Sequence, residues 1–245
     1  MSQPLNPHTL PSDDNINPYT YCVDLRDPWF MQKGRMIAYY GQMRFEALTQ
    51  FSSISAMAAA HFSSPLYARD WVVVNGQGKL IIGDRGYDIN SYDLDDGNLT
   101  IRASNLLAFQ TSLELKQSIV PGFLTLIGTG KFLASSNGPV IFVEPPVRVD
   151  PQALVGWADC PSPSYHYDTN WMQGFLAAAT AFFGRESGEE RQFDFTGAGT
   201  VLMQSSESVL EDPALLRTVQ AQAESLSVPQ MSTLAALLAQ RSQAQ

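Results

Sequence analysis

Charge is scarce in this chain of 245 residues: Asp, Glu, Lys and Arg make up 16% of it, against about 25% in an average soluble domain. What charge there is leans acidic, with 15 Lys and Arg against 24 Asp and Glu and a formal net charge of −9. Binding a phosphate backbone requires clustered cations, and the basic residues here are few and scattered, so nucleic acid is excluded as an expected partner. Cysteine is nearly absent. Cys22 and Cys160 lie outside any C-x-x-C spacing, so no disulfide framework is required, and the two thiols can pair or stay free in a reducing cytosol. No apolar run approaches the roughly 18 residues of a membrane span. The first residues, Met1 to Tyr19, carry Pro4, Pro7, Pro11 and Pro18 with no apolar stretch, unlike a secretory signal. A cytoplasmic location is the expectation. Apolar and aromatic residues reach 44%, which excludes a disordered chain.

Two short patterns recur in order. The first is an apolar residue, a small one and an aromatic: Ile37-Ala38-Tyr39, Leu107-Ala108-Phe109 and Val155-Gly156-Trp157. The second is Gly-x-Gly running into apolar residues: Gly76-Gln77-Gly78, Gly128-Thr129-Gly130 and Gly197-Ala198-Gly199. One structural unit used three times accounts for both. The outer two copies carry apolar insertions, Ala56 to Phe62 and Met172 to Phe183. The recurring aromatics Tyr39, Phe109 and Trp157 are expected in the core.

Between the markers the periodicity is that of strands. Leu99, Ile101 and Ala103 alternate with Thr100 and Arg102, and Leu113 and Leu115 with Glu114 and Lys116. Asp96-Gly97 predicts a two-residue turn between Tyr92–Leu94 and Leu99–Ile101. Pro145-Pro146 ends a strand over Val140–Val143, because proline donates nothing to a ladder. Asp212-Pro213 is a helix start, followed by Leu215, Leu216, Val219 and Ala223 at helical spacing. The organisation expected is an extended N-terminal arm over 1–20, a three-repeat β domain over 21–206 and a C-terminal helical tail over 207–245.

Gly34-Arg35-Met36-Ile37-Ala38-Tyr39-Tyr40-Gly41, Ser104-Asn105-Leu106-Leu107-Ala108-Phe109, Gly83-Asp84-Arg85-Gly86-Tyr87-Asp88-Ile89 and the three Gly-x-Gly blocks resemble the altered inheritance of mitochondria protein 24 family, in a bacterial form. The resemblance runs from about residue 30 to Ser206. It implies a mainly β fold of three tandem β-sandwich or β-roll units like the tryptophan RNA-binding attenuator protein, with a tendency to assemble. It implies little chemistry; the mitochondrial members are associated with inner-membrane organisation. The name of the fold does not carry RNA binding to an acidic chain without repeated cations beside stacking platforms.

Chemical templates fail on their own residues. Gly128-Thr129-Gly130-Lys131 lacks the distal glycine and the hydroxyl of a phosphate loop, since Thr125 and Phe132 stand there. Gly76-Gln77-Gly78 lacks the third glycine of a dinucleotide fingerprint and enters a strand. Asp93-Leu94-Asp95-Asp96-Gly97-Asn98 places its glycine one position early for an EF-hand and ends on Ser104 where Glu is needed. Only Asp159, Cys160, His166 and Asp168 combine a thiol, an imidazole and carboxylates within a short span. Cys22, His8 and His61 are the residues left to complete a metal set with them.

The reading favoured is a non-enzymatic, self-associating scaffold or binding protein, with no catalytic, cofactor or metal residues assigned. A homo-oligomer is expected, a trimer first, with a protein partner also compatible. The two apolar insertions are candidate contacts, with another subunit before a membrane surface, since an acidic protein binds anionic lipid poorly. The alternative is a small-molecule binder or hydrolase using Asp159 to Asp168.

Overall fold

A computed structural model of the chain describes residues 6–48, 62–64, 67–159, 163–165 and 192–212, together with 214, 216, 217, 220 and 221. The strands among them are β1 (Asp14–Asn17), β2 (Thr20–Leu25), β3 (Trp29–Gln32), β4 (Met36–Ala47), β5 (Phe62–Ser63), β6 (Trp71–Gly83), β7 (Asp88–Arg102) and β8 (Leu106–Gln110). They continue as β9 (Glu114–Gln117), β10 (Phe123–Ser136), β11 (Val140–Val143), β12 (Val147–Val149), β13 (Leu154–Ala158), β14 (Ser164–Tyr165), β15 (Phe193–Phe195) and β16 (Thr200–Gln204). The protein is mainly β. A large sheet runs β1-β2-β6-β3-β8-β10-β7-β13-β16-β11, with β4 on β6 and β9 on β10, and a smaller one runs β12-β15-β14. Pairing is antiparallel except where β5 meets β9.

Long strands β6 and β10 are possible because each carries Gly-x-Gly at its middle. Gly76 and Gly78 have φ near +140°, and a methyl group on either would fall inside the opposing backbone of β4. The glycines permit a bend and a close crossing that no side chain allows. They are structural, as their sequence context suggests.

The pairing register then recurs. Tyr39, Phe109 and Trp157 stand opposite Leu80, Phe132 and Val201, each two residues past the second glycine. Ala38, Ala108 and Gly156 stand opposite Ile81, Leu133 and Leu202. In all three ladders the preceding residue, Ile37, Leu107 or Val155, is the extra one of a β-bulge. On the other side of each glycine pair, Trp29, Leu99 and Val147 stand opposite Val74, Leu126 and Phe195, each two residues before the first glycine. Cross-strand ion pairs keep the same register: Lys79 with Asp24 at 3.5 Å and Lys131 with Asp93 at 3.0 Å.

Two expectations are corrected. Phe109 and Trp157 are fully buried, but Tyr39 is 44% exposed. Strand β8 lies between β10 and β3, and β13 between β16 and β7, whereas among the described residues β4 pairs with β6 alone. Burial of the aromatic is set by the second neighbour, which the local motif does not encode. Asp96-Gly97 likewise makes no hairpin turn. Strand β7 runs through it, and Asp96 (φ +48°) forms an irregularity opposite Gly128 and Gly130. A hairpin turn of that type needs positive φ at both residues, and pairing along β10 prevails.

The strand over Val140–Val143 does stop at Pro145-Pro146. Strand β1 ties part of the N-terminal arm to β2. Asp212 caps a helical turn: its Oδ1 accepts from Ala214 N at 3.0 Å and its carbonyl from Leu216 N at 3.0 Å. No helix among the described residues is long and apolar enough to cross a membrane. Of the apolar insertions only Phe62 is described; it is buried against Trp71 and Phe30. The segment Met172 to Phe183 lies outside the described residues.

Candidate functional site

Asp159 is exposed at the end of β13, with φ of +56° and its amide 3.4 Å from the Asn98 carbonyl. Cys160, His166 and Asp168 lie outside the described residues, as does His61. Cys22 is buried and free, and burial pushes its thiol up, away from the reactive thiolate. His8 is exposed in the N-terminal arm. Among the described residues no three His, Cys, Asp or Glu side chains converge as a metal site.

The structure instead brings together a polar clasp that no chemical template singled out. The turn Asp84-Arg85-Gly86-Tyr87 joins β6 to β7; Arg85 and Gly86 both have positive φ, and Tyr87 N donates to the Asp84 carbonyl at 2.8 Å. This turn drives the Asp84 carboxylate inward until its side chain is fully buried. Oδ1 accepts from the guanidiniums of Arg35 and, at 3.1 Å, Arg85; Oδ2 accepts from Ser135 Oγ at 2.6 Å. Arg35 also donates to Gln32 Oε1 at 3.2 Å, and Gln32 in turn to the Ala103 carbonyl at 3.1 Å. Asn105 donates to the Ser135 carbonyl at 2.7 Å. Burial pulls the Arg35 guanidinium below the ordinary arginine value while Asp84 opposes that shift. An arginine remains charged under either influence.

The clasp fastens the β3–β4 turn, the β6–β7 turn and β10 to one another. Both carboxylate oxygens of Asp84 accept from donors on other parts of the chain, so the carboxylate ties those segments together. A second set of contacts reaches the same region from the C-terminal residues. Glu211 meets Arg85 at 3.0 Å, Asp212 accepts from the Tyr67 hydroxyl at 2.9 Å, and Arg217 pairs with Asp70. Burial first, and Asp212 beside it, push the Tyr67 phenol well above its ordinary range.

One accessible apolar feature is the N-terminal half of β4; Ile141 and Phe142 of β11 are another. Met36, Ile37 and Tyr39 are 39%, 60% and 44% exposed. At the matching register positions Leu106, Leu107 and Phe109, and Leu154, Val155 and Trp157, are all buried. Among the described residues the β4 row of large apolar side chains lies on a strand with a single neighbour.

Bent glycine strands, recurrent bulges and a buried polar clasp define a mainly β protein with one large, almost wholly antiparallel sheet. The chain belongs to the family described as Mitochondrial biogenesis AIM24, whose model matches residues 23–206. The fold is similar to the crystal structure of a Streptococcus pyogenes protein, with a TM-score of 0.56 at 18% identity over 87% of this chain and 97% of that one. No curated protein matches the sequence.

Proposed function

We propose that this chain is a non-enzymatic, self-associating scaffold or binding protein built from three tandem β units of the attenuator-protein kind. The first unit takes β2, β3, β4 and β6, the second β7 to β10, and the third β11 to β13 with β15 and β16. Support for the tandem reading comes from the registers, which place the bulge, the aromatic and the Gly-x-Gly pair alike three times. The observation that carries self-association is the exposure of Met36, Ile37 and Tyr39, where the other two units seal their counterparts. Burial of apolar area of that kind drives association at about 25 cal/mol per Å² before association costs are subtracted.

Multi-angle light scattering of the full chain at micromolar concentration tests the reading. A homo-oligomer, a trimer first, is expected; a monomer throughout the range overturns it.

A further inference from the structure

The two internal joints between units are built alike. In the first, β3 lies antiparallel on β8, with Phe30 opposite Phe109 and Met31 opposite Ala108. In the second, β7 lies antiparallel on β13, with Thr100 opposite Trp157 and Ile101 opposite Gly156. Each joint therefore has a donor strand, which crosses its own unit just before the first glycine, and an acceptor strand carrying the bulge. The donor of the third unit is β12, because Val147, Arg148 and Val149 stand opposite Phe195, Asp194 and Phe193 in the register that Trp29 to Met31 and Leu99 to Ile101 occupy. The acceptor of the first unit is β4. Among the described residues β12 pairs only with β15 and β4 only with β6, so the described strands leave one donor edge and one acceptor edge without a neighbour.

We propose that the β12 edge of one copy docks on the β4 edge of a second copy, antiparallel, repeating the internal joint with Arg148 opposite Tyr39 and Val149 opposite Ala38. The proposal rests on the tandem-unit, self-associating reading and adds to it the strands, the direction and the register. The chemistry of the pair agrees. Val147 and Val149 pack into the third unit's core, while the Arg148 side chain is 62% exposed. The Arg148 guanidinium already pairs with Asp194 at 3.8 Å, and facing the Tyr39 ring it would add a cation–π contact. Ile37, at 60% exposure, takes the place of Leu107 and Val155, both buried in the internal joints. Donor and acceptor are different surfaces, so the contact is heterologous and continues from copy to copy until a ring closes.

Directly opposed strand residues bring their Cβ atoms to about 4.5–5.5 Å, from which a small backbone shift reaches the roughly 3.5–4.5 Å of a disulfide. A Tyr39→Cys chain mixed with an Arg148→Cys chain should give a disulfide-linked dimer on mild oxidation. Neither variant alone, nor the unaltered chain with its own Cys22 and Cys160, should form that species. Both substitutions fall at exposed side chains, so folding is retained. Ile37→Lys should weaken self-association by about tenfold or more while leaving the monomer folded. An oligomeric wild type without the mixed dimer overturns the strand pairing and leaves self-association standing. Linkage of either single variant to itself means a like-to-like contact and overturns the proposal. A monomeric wild type overturns both.

Discussion

Leu107 and Ile37 occupy the same position of two bulged strands, beside the same small residue and opposite equivalent strands. Leu107 has no exposed surface, and Ile37 is 60% exposed. Local sequence cannot account for the difference, since the motif around each is alike. The cause is the neighbour on the far edge: β3 covers β8, and no described strand covers β4. Burial here follows the neighbouring strand and not the local motif. Next to β4 the clasp around Asp84 ties the β3–β4 turn to the β6–β7 turn and to β10.

Removing that clasp is the largest perturbation expected. Asp84→Ala leaves Arg35 and Arg85 facing each other without their shared carboxylate, and a broken buried ion pair costs about 3–5 kcal/mol. Urea unfolding followed by circular dichroism measures it; a change below about 1 kcal/mol would mean that the clasp holds nothing. Phe109→Ala should cost about 3–5 kcal/mol, because the ring packs 4.7 Å from Phe30 and 5.3 Å from Trp71. Tyr39→Ala, measured the same way at concentrations where the chain is monomeric, should cost less than about 1 kcal/mol. Equal costs for the two would abolish the distinction between sealed and open joints.

The alkaline limb sharpens the comparison further. Burial pushes the phenols of Tyr21 and Tyr92 up to about 12, so each stays neutral in the fold above the pH at which the unfolded chain ionises. Their contribution is complete below about pH 10 and is lost as pH rises through about 12. Near-ultraviolet titration should show these two phenols ionising together with unfolding; a plain titration near 10 for both would contradict their burial. The smallest effect is expected at Asp24, partly exposed. Burial would raise its carboxyl, but hydrogen bonding to Arg26 and the charge of Lys79 outweigh it and hold it below the usual value. Its stabilisation is present above about pH 4 and falls away below. Lys79→Met should flatten the acid limb of a stability–pH profile slightly.

Much of the fold was legible because its determinants are local. The structural Gly-x-Gly pairs and the strand-ending Pro145-Pro146 are written within a few residues, whereas the bulge before each small residue emerged only from the pairing. Tyr39 and Asp96 show the limit. The exposure of one and the backbone of the other follow from which distant strand arrives alongside. The clasp was also beyond local reading. Arg35 and Ser135 are separated from Asp84 by 49 and 51 residues, and the local sequence offered only the segment Gly83-Asp84-Arg85-Gly86. For the set Asp159, Cys160, His166 and Asp168, only Asp159 falls among the described residues, and it faces solvent.

The contacts from Glu211, Asp212 and Arg217 set an order of events during synthesis. Their partners Arg85, Tyr67 and Asp70 precede them by 126, 145 and 147 residues. As the chain leaves the ribosome from its N-terminus, β1 to β10 and the clasp emerge while Glu211, Asp212 and Arg217 are still untranslated. The first part of the molecule to be made is therefore among the last to be finished, since these late contacts come from residues beyond the stretch that the family model matches.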